Sequence, residues 1–277
     1  MGLGTERREK LERLCKRFRQ DLVKLLYGIQ TGHPGGSLSA TEIMATLYFE
    51  KLAIDPKNPR DENRDRFVLG KGHAAPMLYL ILAEKGFFPK EELPTLRQLD
   101  SRLQGHPCAI KTCGVELSTG PLGLGLAAGL GMALAAKLDK KDYRTYVLMG
   151  DGEIQEGIVW EAAMSASKFA ADNLLAIIDN NGVQLDGPVA EIMPLGDIAA
   201  KWRAFGWHVI GIDGHDVDQI SDAVDAAKTI RGKPTVIIAE TVKGKGVSFM
   251  EGKSTWHGKP IGKDDYVQAM QELGASA

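Results

Sequence analysis

The sequence predicts an α/β fold, a mostly parallel sheet with helices on both faces, and two observations predict it. Short apolar, strand-like runs recur at Tyr146–Met149, Leu174–Ile178, Trp207–Ile212 and Thr235–Ala239, with helical patterns between them at Glu153–Phe169, Asp197–Phe205 and Asp216–Lys228. Strands that alternate with helices build parallel sheets, because a parallel connection needs a crossover of helical length. Length agrees, since 277 residues bury a sizeable core as one large domain or two small ones. No internal repeat and no clean boundary is visible. The expectation is therefore one unit over 1–277, with an extended N-terminal helical segment wrapped onto a single α/β domain.

The N-terminal elements follow in order. Residues 5–30 place Leu11, Leu14, Cys15, Phe18, Leu22, Leu25 and Leu26 at helical spacing in a charged stretch, the pattern of an amphipathic helix. Gly32 to Gly36 reads as a loop. A second helix is expected from Ser39, a suitable N-cap, to Lys51. Asp55 to Arg66 is polar and turn-rich. Phe67-Val68-Leu69 reads as a short strand, broken by Gly70-Lys71-Gly72 and followed by a helix from His73 to Lys85. Leu117 to Ala136 carries no charge and is long enough to span a bilayer. However, Ser118, Thr119, Gly120 and Pro121 open it and five glycines interrupt it. It is read instead as a buried helix from Leu122 to Lys137, with Gly125 and Gly129 four apart so that another helix packs closely. After Pro260 only Ile261 to Ala277 remains, enough for one helix.

Composition excludes several function classes. With 44% hydrophobic and 25% charged residues and a net charge of −2, there is no basic excess for nucleic acid and no charge block for a solvating tail. Cys15, Cys108 and Cys113 form neither a paired framework nor a zinc spacing, so reduced, cytoplasmic thiols are expected. Met1 to Lys10 is charged and lacks an apolar core, so no signal peptide and no membrane association is read. The 32 glycines gather in short clusters, as they do where backbone turns sharply or approaches a ligand closely.

Open parallel sheets bind ligands where loops converge at the carboxyl ends of the strands. Two such loops carry suitable chemistry. One strand runs into Gly150-Asp151-Gly152 and the next into Asp179-Asn180-Asn181-Gly182. If these sequence neighbours also pair in the sheet, Asp151 and Asn181 meet on adjacent loops. Mg2+ suits that meeting: it is hard, prefers oxygen, and takes one or two carboxylates together with ligand phosphates. Asp151 offers a carboxylate, Asn181 an amide oxygen, and a nearby main-chain carbonyl a third ligand. The flanking glycines let backbone N–H groups face a phosphate at a helix N-terminus. Asp-Gly and Asn-Gly are each common turns; the specificity lies in the pair.

Four of the six histidines lie in loops marked by glycine or proline: Gly32-His33-Pro34, Gly72-His73-Ala74, Gly105-His106-Pro107 and Trp256-His257-Gly258-Lys259-Pro260. A Gly-Asp-Gly followed about thirty residues later by Asn resembles the thiamine diphosphate motif. Together with Thr119-Gly120-Pro121-Leu122-Gly123, Gly150 to Gly157 and Ile178 to Asn181, the four histidine segments resemble, in order and spacing, the N-terminal domain of transketolases. The match covers nearly the whole chain.

That resemblance implies a set of roles. The cofactors are thiamine diphosphate and Mg2+, with Ca2+ or Mn2+ able to stand in its place. Asp151, Asn181 and the carbonyl of Val183 hold the metal. The N–H of Gly152, His73 and His257 lie at the diphosphate, with Lys243 in a nearby loop. Gly120, Leu122 and Leu185 line the thiazolium side. His33, His73, His106 and His257 form the catalytic set around the sugar and cofactor, with Lys259 close to the same channel. Glu156 and Glu161 match carboxylates that link two active sites across a dimer interface; a solvated helix face is the other reading. The reaction implied is transfer of a two-carbon ketol unit between sugar phosphates. Histidine suits its proton transfers near neutral pH. The aminopyrimidine-binding domain of full-length transketolases has no counterpart in this sequence. The resemblance thus implies a split enzyme, a heterotetramer in which a C-terminal transketolase subunit is the partner.

Other readings stay open. The same cofactor serves deoxyxylulose-phosphate synthases, relatives acting on sulfo-sugars or apiose-pathway sugars, and ketoacid decarboxylating subunits. A non-catalytic homologue is a third class, opposed by the intact Asp151, Asn181 and histidine set. Gly123-Leu124-Gly125-Leu126-Ala127-Ala128 also fits a dinucleotide fingerprint, yet no apolar strand precedes it, as a nicotinamide dehydrogenase would require.

Overall fold

The structure is a computed structural model that describes residues 2–275. Helix α1 (Thr5–Ile29) is followed by α2 (Pro34–Ser39), α3 (Thr41–Thr46) and a π-helical turn, Leu47–Lys51. Strand β1 (Arg66–Leu69) leads through a 3-10 turn, Gly72–Ala74, into α4 (Ala75–Lys85). After a 3-10 segment, Lys90–Thr95, and a long loop come α5 (Leu124–Leu138), β2 (Thr145–Gly150), α6 (Gly157–Lys168) and β3 (Leu174–Asn180). The short α7 (Val189–Ile192) precedes α8 (Ile198–Ala204), β4 (His208–Asp213), α9 (Val217–Thr229), β5 (Thr235–Glu240) and α10 (Lys263–Glu272).

All strands run parallel in one five-stranded sheet of order β1-β2-β3-β5-β4. Side chains alternate between its faces. On one face Phe67, Leu69, Tyr146, Leu148, Leu175 and Ile177 pack with α1, α3, α4 and α9. On the other, Val68, Val147, Met149, Ala176 and Ile178 pack with α5, α6 and α8. Strands covered on both sides have no use for polar alternation, and β2 is buried at all its positions. Helices on both faces of a parallel sheet are as expected.

Four local expectations change. The helix after His33 starts earlier, at Pro34, whose ring presets the first-turn dihedral. Ser39 is not an N-cap but the last residue of α2, and its hydroxyl donates to Asp179 Oδ2 at 2.6 Å. The run expected as Glu153–Phe169 is a 3-10 turn, Glu153–Gln155, then an extended residue, Glu156, then α6. The turn is held because Glu153 folds back to accept from Gly150 N–H and Gly123 N–H. Gly125 and Gly129 admit the sheet rather than a helix: a Cβ would stand 2.9 Å from Gly70 Cα at the first and 2.5 Å from Val147 Cγ2 at the second. Helix α10 ends at Glu272; Met1, Ser276 and Ala277, within the expected span, lie outside the described residues.

Candidate functional site

β2 and β3 pair in register, with Gly150 opposite Asp179, so the loops after them leave the sheet side by side. Asp151 N–H donates to Asp179 O at 3.2 Å and stitches the two loops together. Asp151 is buried, and its carboxylate spans the gap, accepting from Gly152 N–H at 2.8 Å and from Gly182 N–H on the other loop. Gly182 takes φ 74°, a left-handed value that favours glycine. Asn181 Oδ1 accepts from Val183 N–H at 3.1 Å, which fixes the amide oxygen on its own loop. The carbonyl of Val183 accepts from Lys243 Nζ at 2.9 Å, so it already faces a cation.

These groups line one cavity of about 270 Å3, with His73, Leu122, Leu185, Lys243 and His257 on its walls and Lys71 beneath. Among the described residues no cluster of three or more His, Cys, Asp or Glu side chains forms a metal cage. One carboxylate, one amide oxygen and one carbonyl on the walls of the same cavity are instead the kind of oxygen donors that a hard cation takes together with phosphate oxygens and water. Burial, then repulsion from Asp179, raises the pKa of Asp151 above the usual carboxylate value against the pull of its N–H partners. A nearby divalent cation relieves that cost. Space at Gly152 is tight: a Cβ there would come within 3.1 Å of the Gln184 side chain, which would have to give way. The donor set and the glycine cradle fit a metal-bound diphosphate.

The histidines do converge. The rings of His73 and His257 lie 4.8 Å apart, His33 lies 5.5 Å from His73 and 5.4 Å from His257, and His106 stands 6.1 Å from His33. They come from four loops that the sheet and its helices bring together. Burial lowers His33 to about 4, with the charges of Arg97, His106 and Lys243 adding to it. His257 falls to about 3 through burial and then Lys243. His73 is lowered well below its ordinary value by burial, then by Lys71, and His106 is lowered by burial and Arg97. At neutral pH all four rings are uncharged, each with one nitrogen to donate and one to accept.

The other expected residues divide. Gly120 faces the His106 ring, at 3.6 Å from a Cβ position to Cγ. Leu122 and Leu185 are exposed apolar groups at the cleft mouth. Lys243 is buried, with Nζ 2.9 Å from His257 Nδ1. Glu156 is exposed and also lines the cleft, while Glu161 is exposed on α6. Lys259 is not brought into the cleft; its Nζ sits 4.3 Å over the Trp256 ring and 3.4 Å from Asp265.

Residues not singled out by sequence reasoning complete the floor. Lys71 and Asp179 form a fully buried ion pair, and Thr241 Oγ1 and Ser39 Oγ donate to the same carboxylate. Burial pushes Glu153 up to about 7. Arg97, at a left-handed φ of 63°, stands 3.3 Å from His33 Nδ1 and donates to Thr31. Lys71 and Asp179 lay in view, in the Gly-Lys-Gly before His73 and two residues before Asn181. Nothing in the spacing links Arg97 to His33.

Residues 12–277 match the family described as "Transketolase, thiamine diphosphate binding domain". The chain belongs to that family. It is 43% identical over 265 residues to an apulose-4-phosphate transketolase subunit of Phocaeicola vulgatus, covering 96% of this chain and 94% of that protein. It is 48% identical over 242 residues to 6-deoxy-6-sulfo-D-fructose transketolase subunit SqwG of Clostridium sp. (strain MSTE9), covering 87% of this chain and 88% of that one. Human transketolase is 42% identical over 266 residues, 96% of this chain but 42% of the human protein. Among solved structures, transketolase from Leishmania mexicana superposes with a TM-score of 0.90 at 32% identity, over 96% of this chain and 41% of that one. The chain thus spans less than half of such single-chain transketolases, and nearly the full length of the relatives that are themselves subunits.

Membership also disposes of the dinucleotide reading. Gly123 caps α5 and donates its N–H to Glu153 Oε1 at 3.0 Å, and the segment before it is not a strand.

Proposed function

We propose that this chain is the N-terminal, diphosphate-binding subunit of a thiamine diphosphate-dependent transketolase that moves a two-carbon ketol unit from a ketose phosphate to an aldose phosphate. Family membership supports the reaction class, and the relatives that are subunits support a separate C-terminal partner chain, with a heterotetramer as the assembly. The single observation that carries the reading is the Asp151–Asn181–Val183 oxygen set beside four convergent, uncharged histidines.

In this reading Asp151, Asn181 and the Val183 carbonyl hold Mg2+, for which Ca2+ or Mn2+ can substitute. Gly152 N–H, His73, His257 and Lys243 receive the diphosphate, and Gly120, Leu122 and Leu185 flank the thiazolium. When bound, thiamine diphosphate supplies the nucleophilic carbanion and the electron sink. The chain's residues orient the sugar and move its protons. His33, His106 and His257 accept or donate at the sugar's hydroxyl and carbonyl oxygens. Their low pKa values keep them neutral, so each can donate one hydrogen bond without adding positive charge. Lys71 balances Asp179 under the cleft and leaves Asp151 as the carboxylate for the metal. Glu156 and Glu161 are assigned to the link between two active sites. We place the protein in the cytoplasm, consistent with three free cysteines.

The test is reconstitution. This chain with Mg2+ and thiamine diphosphate is expected to show no ketol transfer alone and to gain it on mixing with its C-terminal partner. Full activity of the rigorously purified chain by itself rejects the split assembly.

A further inference from the structure

Lys243 reaches the cleft from a loop whose other side is gripped by a partly buried polar chain. Arg19 on α1 forms a two-pronged pair with Glu42 on α3, with Nη2 to Oε2 at 2.6 Å, and its Nε donates to Lys245 O at 3.0 Å. Glu42 Oε2 also lies 2.9 Å from His215 Nδ1. The opposite ring nitrogen, Nε2, is 2.9 Å from Val242 N. A backbone N–H can only donate, so Nε2 must accept, and the ring proton therefore sits on Nδ1 and is given to Glu42. The order Arg19–Glu42–His215–Val242 has one consistent assignment of hydrogens. Burial opposes the charge on Glu42, but bonds from His215 and Arg19 outweigh it and hold its carboxyl below the ordinary value.

The four residues 242–245 are fixed from both sides. Val242 N–H and Lys245 O belong to the polar chain. Lys243 Nζ meets Val183 O and His257, and Gly244 N–H donates to Gly35 O at 3.0 Å. Arg19, Glu42 and His215 themselves stay outside the cavity. His215 instead borders an open depression on the far side of Val242 and Lys245. They touch neither metal nor diphosphate ligands, so any effect on the site passes through the loop.

We propose that Arg19, Glu42 and His215 are positioning residues that brace the 242–245 loop and so set Lys243 against the diphosphate site, with Glu42 selecting the His215 tautomer that accepts from Val242. The proposal rests on the thiamine diphosphate reading of the cleft for its purpose, but not for its test. Lys243 is 2% exposed and Lys71 is 1% exposed, and the two are held by different partners. Amine labelling of the full chain followed by peptide mass spectrometry therefore reports the loop, with Lys71 as an internal control. His215→Phe keeps the ring's bulk and removes both bonds. It is expected to raise Lys243 labelling about tenfold, the scale of one lost hydrogen bond, with Lys71 unchanged. His215→Gln, whose Oε1 can accept from Val242 N–H, is expected to return labelling toward the wild-type rate.

Unchanged Lys243 labelling in His215→Phe overturns the brace. A parallel rise at Lys71 also overturns it, since that signals general loosening. Separately, Mg2+ with thiamine diphosphate added to the wild-type chain and its partner should protect Lys243. Failure there counts against the cofactor reading and leaves the brace standing on the labelling of His215→Phe.

Discussion

His33 stands where a proton would be costly. Burial lowers its pKa to about 4, and Arg97, His106 and Lys243 add to the shift, whereas an unfolded histidine titrates near about 6.5. As pH falls the unfolded chain takes the proton first. The stability His33 contributes is thus present above about pH 6.5 and is lost as pH falls toward about 4. His33→Asn should flatten the decline in urea midpoint across that window; an undiminished slope would show that the ring is not held neutral. His257 and His73 are shifted in the same direction, so a single substitution removes only part of the slope. Asp151 gives a sharper test. Asp151→Ala is expected to weaken Mg2+-dependent thiamine diphosphate binding by about a hundredfold or more, read by calorimetry on the assembled protein. Binding as tight as wild type would remove Asp151 from the metal shell. At this scale the sequence was most informative where chemistry is local: Gly150-Asp151-Gly152 and Asn181 stand at strand ends that periodicity alone locates. It was silent where contacts join distant segments, as between Arg97 and His33.

Helix α5 shows what periodicity reveals and what it hides. A run of small and apolar residues announces a buried helix, and its limits in the structure, Leu124–Leu138, differ little from those expected. Which partner the glycines face is a matter of three-dimensional packing. Gly129 lies over Val147 and Thr145 of β2, so a methyl group at 2.5 Å from Val147 Cγ2 must shift that side chain or lift the helix from the strand. Gly129→Ala should therefore destabilise by about 1–3 kcal/mol despite the better helix propensity of alanine. Gly131, two residues on, is exposed with nothing within 4 Å of its Cβ position. Gly131→Ala should stabilise by about 0.5–1 kcal/mol. Thermal or urea melts of the pair check both signs, and equal shifts would contradict the helix-on-sheet packing. The interrupted turn before α6 escaped periodicity for a related reason. Residues 153–169 carry a helical pattern, but Glu153 gives its carboxylate to the N–H groups of Gly123 and Gly150 and the chain cannot continue as a helix there. A tertiary bond from a residue thirty positions away overrides local preference.

At the scale of the molecule, the cleft opens beside apolar side chains that this chain leaves uncovered. Leu122 is 38% and Leu185 is 60% exposed, and Ile192 and Met193, just beyond Leu185 along the chain, are exposed as well. The sheet, its two covered faces and the order of the site segments were legible in the sequence, since each is a local pattern repeated along the chain. A surface proposed to receive a second chain leaves no periodic mark. If the cleft holds thiamine diphosphate as proposed, keeping water from its mouth would protect the chemistry the cofactor supplies. A partner chain over Leu122 and Leu185 would close the mouth and bury those groups together. Leu185→Asp separates this function from folding. Its side chain contributes little to the chain's own core, so the melting temperature of the isolated chain should stay within about 1 °C of wild type. Association with the C-terminal chain, measured by analytical ultracentrifugation, should weaken at least about tenfold if the leucine is buried in the joint. Unaltered association would place the partner elsewhere and leave Leu185 as a contact of the cofactor alone; a fall in the chain's own stability would mean that the 185 loop is already part of its core.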